Sequence, residues 1–190
     1  MNKTFLWGLD ISLKCTGITI YCIEEKEIVY IGSFNTKKIY ATKQYKGLEK
    51  NAIKLKKIAD WAKPLLLEYP PEEIAIERMF SRFPAETQAI AKATGVLQCL
   101  LWTKPQYLYP PKSVKLAIVH GDATKEDLAN CILTSNEYSH LQFDNEDESD
   151  SCAVLITHLI EKELIVWNKP VWADIKKLRK PKEQKKSKKK

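Results

Sequence analysis

Three strand-length apolar runs open the chain: residues 4–10 (TFLWGLD), 16–23 (TGITIYCI) and 27–34 (EIVYIGSF). With a turn around residues 12–14, they predict an antiparallel meander. Over residues 45–67 the period lengthens to that of a helix, placing Leu48, Ala52, Leu55, Ala59, Ala62 and Leu66 on one face. Lys46, Lys50, Lys54 and Lys57 fall on another face and read as solvated helix surface. Tyr69-Pro70-Pro71 stops this helix, and 73–77 (EIAIE) follows as a short buried strand. Residues 84–104 predict a second helix, with Pro84 suited to its first turn. A strand over 106–109 comes next, then short helices over 111–120 and 124–134, parted by Gly121-Asp122. The last strong helix starts at Asp147 and is expected to end near Val166. Three antiparallel strands followed by helix-linked strands imply an α/β fold: a mixed five-stranded sheet with helices on both faces.

The length of 190 residues suits one domain, here 1–175, followed by a lysine-rich tail over 176–190. The net charge of +7 suggests nucleic acid as a partner, but its location changes that reading. Residues 176–190 alone carry +9, leaving 1–175 at −2. The tail has almost no apolar residues and is expected to be disordered. It reads equally as a solubilising terminus or as an arm that seeks phosphates. Specific contacts with DNA must then come from basic patches in the body. The five cysteines are odd in number and lack CxxC spacing, which argues against disulfides or a zinc site and for a reducing cytoplasm. No signal peptide and no membrane span is expected.

Four acids stand out against this pattern. Asp10 ends an otherwise apolar strand, and Glu77 closes the run Ile74-Ala75-Ile76. Asp147 and Asp150 are three apart at the start of an apolar helix and share one face. A carboxylate ending a buried strand is costly unless it is paired, hydrogen-bonded or bound to metal. Several of them converging would be hard oxygen ligands of the kind Mg²⁺ takes. Each also has an ordinary reading: a turn residue, a strand-end charge, or the acidic first turn that a helix dipole favours. The register of the last pair is open, because Asp144, Glu146 and Glu148 are neighbours.

Together these segments resemble the RuvC family of Holliday-junction resolvases. Gly8-Leu9-Asp10 with Thr16-Gly17 is similar to the family's first strand and hairpin. Ala75-Ile76-Glu77-Arg78-Met79-Phe80 is similar to its second acidic motif. Asp147-Glu148-Ser149-Asp150 with Thr157-His158 resembles its closing helix. Between them, Lys112-Ser113-Val114-Lys115 and Gly121-Asp122-Ala123-Thr124-Lys125 resemble its basic segment. The resemblance runs from about Lys3 to His158, in the family's order. It departs at Ile11-Ser12, where the family has Pro-Gly, and at Cys152, where some members have His.

The resemblance implies an RNase H-like fold and a Mg²⁺-dependent endonuclease that cuts four-way junctions with two symmetric nicks in recombination and repair. It implies that Asp10, Glu77, Asp147 and Asp150 hold two Mg²⁺ ions, with Mn²⁺ able to substitute. Lys115 and Lys125 would act at the reacting phosphate, and Lys112 would contact DNA; Arg78 and Arg82, two of the chain's three arginines, flank the Phe80 loop and read as phosphate contacts. Phe80 would stack on a base of the opened junction, with Phe83 as its understudy; packing in the core is the ordinary reading for either. No histidine is assigned to catalysis. A two-fold homodimer is expected, since two symmetric cuts need two sites. A branch-migration helicase is left open, with no residue pointing to one. Rivals within the fold are a phage-type debranching nuclease and a YqgF-like RNA-processing nuclease. A non-catalytic DNA-binding relative is disfavoured by the four acids. The rival from another class, an actin-like or sugar-kinase phosphotransferase, needs a second glycine-rich phosphate loop that a chain with six glycines does not supply.

Overall fold

The computed structural model describes residues 3–37, 39, 48–78 and 83–179. Its strands are β1 (Phe5–Asp10), β2 (Cys15–Cys22), β3 (Glu27–Asn35), β4 (Pro71–Glu77) and β5 (Gln106–Tyr109). They form one sheet in the order β3-β2-β1-β4-β5, with β1–β2 and β2–β3 antiparallel and β1–β4 and β4–β5 parallel. The expected mixed five-stranded sheet is therefore present.

Helices α1 (Leu48–Glu68) and α2 (Pro84–Leu100) cover one face of it. There Trp7, Leu9, Ile18, Ile20, Ile74 and Ile76 pack against Ile58, Ala62, Leu65, Ala93 and Leu97. The other face carries α3 (Pro111–Ile118), α4 (Lys125–Leu133) and α5 (Glu146–Glu161), the last running across β1, β2 and β4. The two-residue period of a strand thus sorts β1 cleanly: Trp7 and Leu9 go to one side, Leu6, Gly8 and Asp10 to the other.

Three expectations need correction. The buried seam of α1 runs through Ile58, Ala62 and Leu65, and Ala52 is exposed. The seam is set by which side of the helix meets the sheet: there even the small Ala62 is fully buried, whereas Leu67, turned away, is 85% exposed. The second helix stops at Leu100, where the Gln106 amide donates to the carbonyls of Gln98 and Leu101. The helix starting near Asp147 ends at Glu161 rather than Val166. Glu163 adopts a left-handed φ of 57°, and the amides of Glu163 and Leu164 turn back onto the carbonyls of Ile160 and Leu159. Those paired bonds close the helix as a Schellman motif without a glycine.

The boundary placed at residue 175 falls inside a sixth helix, α6 (Trp172–Lys177), which the apolar pattern did not announce. Ile175 is buried with Leu128, Cys131 and Ile132, so the ordered body runs to at least Arg179.

Candidate active site

Asp10 and Glu77 end neighbouring parallel strands, paired in register at Leu9 and Ile76. Both belong to the sheet face that α5 covers, since Gly8 lies under α5 and Ala75 packs with α3–α5. Two glycines let α5 come this close. A β-carbon on Gly8 would lie 2.5 Å from the Ser151 carbonyl oxygen and the Leu155 β-carbon. One on Gly17, the β2 partner of Asp10, would lie 2.0 Å from the Asp147 carbonyl oxygen. The first turn of α5 is thereby pressed onto the strand ends that carry Asp10. A buried hydrogen bond of 2.8 Å between the hydroxyls of Thr19 and Ser151 fixes the contact.

The start of α5 divides its acids by task. The Asn145 side chain caps it, accepting from the amides of Asp147 and Glu148. Glu148 is buried and occupied, accepting from the Ser33 hydroxyl at 2.9 Å and the Asp144 amide at 2.7 Å. Asp144 and Glu146 are exposed. Asp150 is buried and receives the ammonium of Lys125, which also lies 4.0 Å from Glu146. Lys125 is the first residue of α4, placed by a capping box between Thr124 and Asp127.

The electrostatics follow from this crowding. Burial, then the negative charges of Glu77, Asp150 and Asp147, push the Asp10 carboxyl well above the usual carboxylate range, against the pull of Lys125. Burial and Asp150 push Glu77 up to about 7, although Lys125 and Lys115 oppose the shift. Asp150 is raised by burial while its bond to Lys125 works the other way. Lys125 loses some basicity to burial, but Asp150, Asp10 and Glu146 outweigh that and raise it. The acids are thus short of positive charge.

Among the described residues, no three Asp, Glu, His or Cys side chains are gathered tightly enough to hold a metal ion. Like-charged carboxylates with only an ammonium between them have no reason to close up. Their chemistry nevertheless fits a hard divalent cation. The donors are all oxygen, partly desolvated, and raise one another's pKa, which a cation among them would relieve.

The other expected residues are divided. Arg78, Lys112 and Lys115 line one groove of about 430 Å³ with Pro110, Pro111, Gly121 and Asp122. Phe80 and Arg82 lie outside the described residues, whereas Phe83, at the start of α2, is 66% exposed. His158 is far from exposed: it is fully buried between the Tyr109 hydroxyl (2.8 Å) and Glu73 (2.9 Å). Sequence reasoning missed Cys15, whose thiol is pushed up to about 12 by burial and by a hydrogen bond to the Asp147 carboxylate. It also missed Ser151 and Thr19, which announce themselves by no motif.

Acids at the ends of two central parallel strands, faced by a helix that carries two more, make this an RNase H-like architecture. Comparison with known proteins narrows it. The family model described as crossover junction endodeoxyribonuclease RuvC matches residues 6–158. The chain belongs to that family, one of metal-dependent nucleases. The RuvC of Idiomarina loihiensis is 26% identical over 155 residues, covering 80% of this chain and 84% of its own. That of Christiangramia forsetii is 27% identical over 191 residues, covering 94% of each. Among solved structures, Thermus thermophilus RuvC in complex with a Holliday junction substrate superposes with a TM-score of 0.66 at 18% identity, covering 85% of this chain and 96% of that one. The yeast mitochondrial Holliday junction resolvase gives 0.56 at 14% identity, covering 84% and 80%. The last two share the fold. Among the described residues, no helix is long and apolar enough to cross a membrane.

Proposed function

We propose that this chain resolves four-way DNA junctions, as a cytoplasmic homodimer that makes two symmetric Mg²⁺-dependent nicks. The observation that carries the reading is one sheet face shared by Asp10, Glu77 and the α5 acids, with the Lys125 ammonium lodged against Asp150. Asp10, Glu77, Asp147 and Asp150 would hold two Mg²⁺ ions, or Mn²⁺ in their place. Bound there, the ions supply an activated water and charge stabilisation for the leaving 3′-oxygen.

The chain's own residues do the rest. The strand ends and the first turn of α5 hold the four carboxylates on one side of the sheet, where they would orient the bound ions. Lys125 neutralises Asp150 in the free protein and, released from it, can face the charge that builds on the scissile phosphate. Arg78 and Lys112 would seat the phosphates leading into the site, joined by Arg82, and Lys115 would act with Lys125 at the reacting phosphate. Phe80 would stack on an unpaired base, with the exposed Phe83, three residues on, as the alternative. The expected products are a 5′-phosphate and a 3′-hydroxyl. The nuclease unit takes in α6 through Arg179, and residues 180–190, with a balance of +6, form a phosphate-seeking arm.

The deciding experiment incubates the purified protein with a labelled four-way junction, with and without Mg²⁺, beside forks, flaps and structured RNA. Paired nicks in the junction, absent in EDTA, are expected. Equal cutting of every branched DNA would favour a debranching nuclease, preference for RNA would favour an RNA-processing relative, and no cutting at all ends the nuclease reading.

A further inference from the structure

The segment after α5 lies beyond the residues that the family model matches, yet it is laid along the helices that carry the lysines. The Trp167 indole N–H donates to the Ile118 carbonyl at 2.8 Å, and the Lys169 ammonium to the Leu116 carbonyl at 2.7 Å. Both carbonyls belong to α3, which bears Lys112 and Lys115. Trp172 stacks on His120, centroids 5.0 Å apart and planes 14° apart, just before the turn that leads into α4. Lys176 and Arg179 also lie against that indole, 4.9 and 5.3 Å from the Trp172 centroid.

The segment ends on a two-pronged contact. Arg179 places Nε and Nη2 each 2.7 Å from the two carboxylate oxygens of Asp127. Asp127 is fully buried and is the capping-box acid of α4: its Oδ2 also accepts from the Thr124 amide at 2.6 Å and the Thr124 hydroxyl at 2.7 Å. Thr124 immediately precedes Lys125. A buried carboxylate that lost Arg179 would keep its charge without its counter-ion and would rearrange to reach water. The cap that sets the direction of the Lys125 side chain would move with it.

We infer that Arg179 is a positioning residue for Lys125, acting through Asp127 and the Thr124 cap, so that the chain's C-terminal strap keeps the lysine aimed at the carboxylate site. The inference rests on the catalytic part given to Lys125 under the proposed function. A long, flexible ammonium side chain is useful only from a fixed base, and displacement by an ångström can cost about a hundredfold in rate. The guanidinium fork matches a carboxylate as a lysine cannot.

The test is a double-mutant cycle in the full chain. Single-turnover junction cleavage is measured at saturating protein for the wild type, Arg179→Ala, Lys125→Ala and the double variant, with junction affinity measured in parallel. Arg179→Ala should slow cleavage roughly tenfold or more with affinity within about twofold, and should add little once Lys125 is gone. Arg179→Lys should recover part of the rate. An undiminished Arg179→Ala penalty in the Lys125→Ala background, or a loss confined to affinity, overturns the inference. A second readout needs no cleavage: modification of Lys125 by an amine-reactive reagent, followed by mass spectrometry. Faster labelling in Arg179→Ala supports the clamp, and unchanged labelling overturns it, even in a protein that cuts no junction.

Discussion

Gly17 lies directly beneath Asp147: a β-carbon on Gly17 would fall 2.0 Å from the Asp147 carbonyl oxygen and 3.1 Å from the Ser151 hydroxyl. The obstacle is helix backbone, which cannot swing aside like the end of a flexible side chain. Because Gly17 is the β2 partner of Asp10, lifting the first turn of α5 separates the α5 acids from Asp10. Gly17→Ala should therefore reduce cleavage by about a hundredfold or more. The overpacking itself should cost about 1–3 kcal/mol. Melting and single-turnover cleavage measured on the same preparation test this. A variant that cuts at the wild-type rate would show that the close approach is dispensable.

The carboxylate site concentrates negative charge, so stability and activity should oppose one another there. Burial and three neighbouring acids disfavour the ionised Asp10, and burial with Asp150 disfavours the ionised Glu77. Asp10→Asn and Glu77→Gln should each raise the melting temperature of the metal-free protein at pH 8, by about 2–6 °C. Each should abolish junction cleavage while leaving binding intact or tighter, as should Asp147→Asn and Asp150→Asn. Added Mg²⁺ should raise the wild-type melting temperature more than that of any of the four variants. Unimpaired cleavage by all four would remove the basis for a metal site here, and full activity in Asp147→Asn with loss in Asp144→Asn or Glu146→Gln would shift the register to the acid that fails.

Much of this was legible in the sequence, for reasons that particular residues make plain. Asp10 and Glu77 stood out as candidates because a charge ending an apolar strand violates local patterning, and such violations cluster at functional sites. Asp147 was harder, because Glu146 and Glu148 are chemically its equals and any acid suits a helix N-terminus. The fold sets Glu148 aside, by giving it to Ser33 and the Asp144 amide, and leaves Glu146 exposed beside Asp147. α6 was hidden because its six residues contribute a single buried side chain, Ile175, and no periodicity can be read from one contact. Arg179 was grouped with the lysines around it, although its partner Asp127 lies 52 residues away in sequence.

Away from the site, the Glu73–His158–Tyr109 network sets a pH limit on the fold. Glu73 cannot donate, so the neutral His158 carries its proton on Nε2 and accepts from Tyr109 at Nδ1. Burial lowers the His158 pKa below 6.5, although Glu73 pulls it upward. A depressed histidine means that the unfolded chain binds the extra proton first, so stability falls as pH drops below 6.5 through the folded value. Glu73 has the same sign: burial opposes ionisation, but Lys162 and His158 overcome it, and its contribution fades below pH 4.5. His158→Gln should lower stability at pH 8 by about 1–3 kcal/mol while flattening the profile between pH 7 and 5. Denaturant unfolding across that range checks it, and an unchanged slope would place the acid sensitivity elsewhere.

Lys115 and Lys125 face the acids from different elements, and both favour the ionised form of Glu77. If they act on charge that develops during cleavage, Lys115→Ala and Lys125→Ala should each lower turnover by about 10- to 100-fold, with junction affinity changed severalfold at most. Lys112→Ala, on the same groove as Lys115, should instead weaken binding and make its salt dependence shallower. Equal losses in rate and affinity for Lys125→Ala would make it a general phosphate contact.

The terminal lysines separate into two groups once Arg179 has a partner. Residues 180–190 carry a balance of +6, whereas Lys176, Lys177 and Arg179 add three more charges within or beside α6. A polycation attracts any DNA by releasing counter-ions, and that attraction falls steeply with salt. A chain ending at Arg179 should bind duplex and junction less tightly, with a shallower salt slope, while its preference for the junction stays level or rises. Its metal dependence and cleavage position should not change. A chain ending at Ile175 should lose still more affinity, three further charges being gone, and should in addition cleave more slowly at saturating protein, because Asp127 has lost its guanidinium. Binding of both DNAs by the three proteins across a salt series, with saturated cleavage rates, separates the two contributions. If the chain ending at Arg179 already loses its preference for the junction, residues 180–190 take part in recognising shape, and the division drawn at Arg179 is wrong.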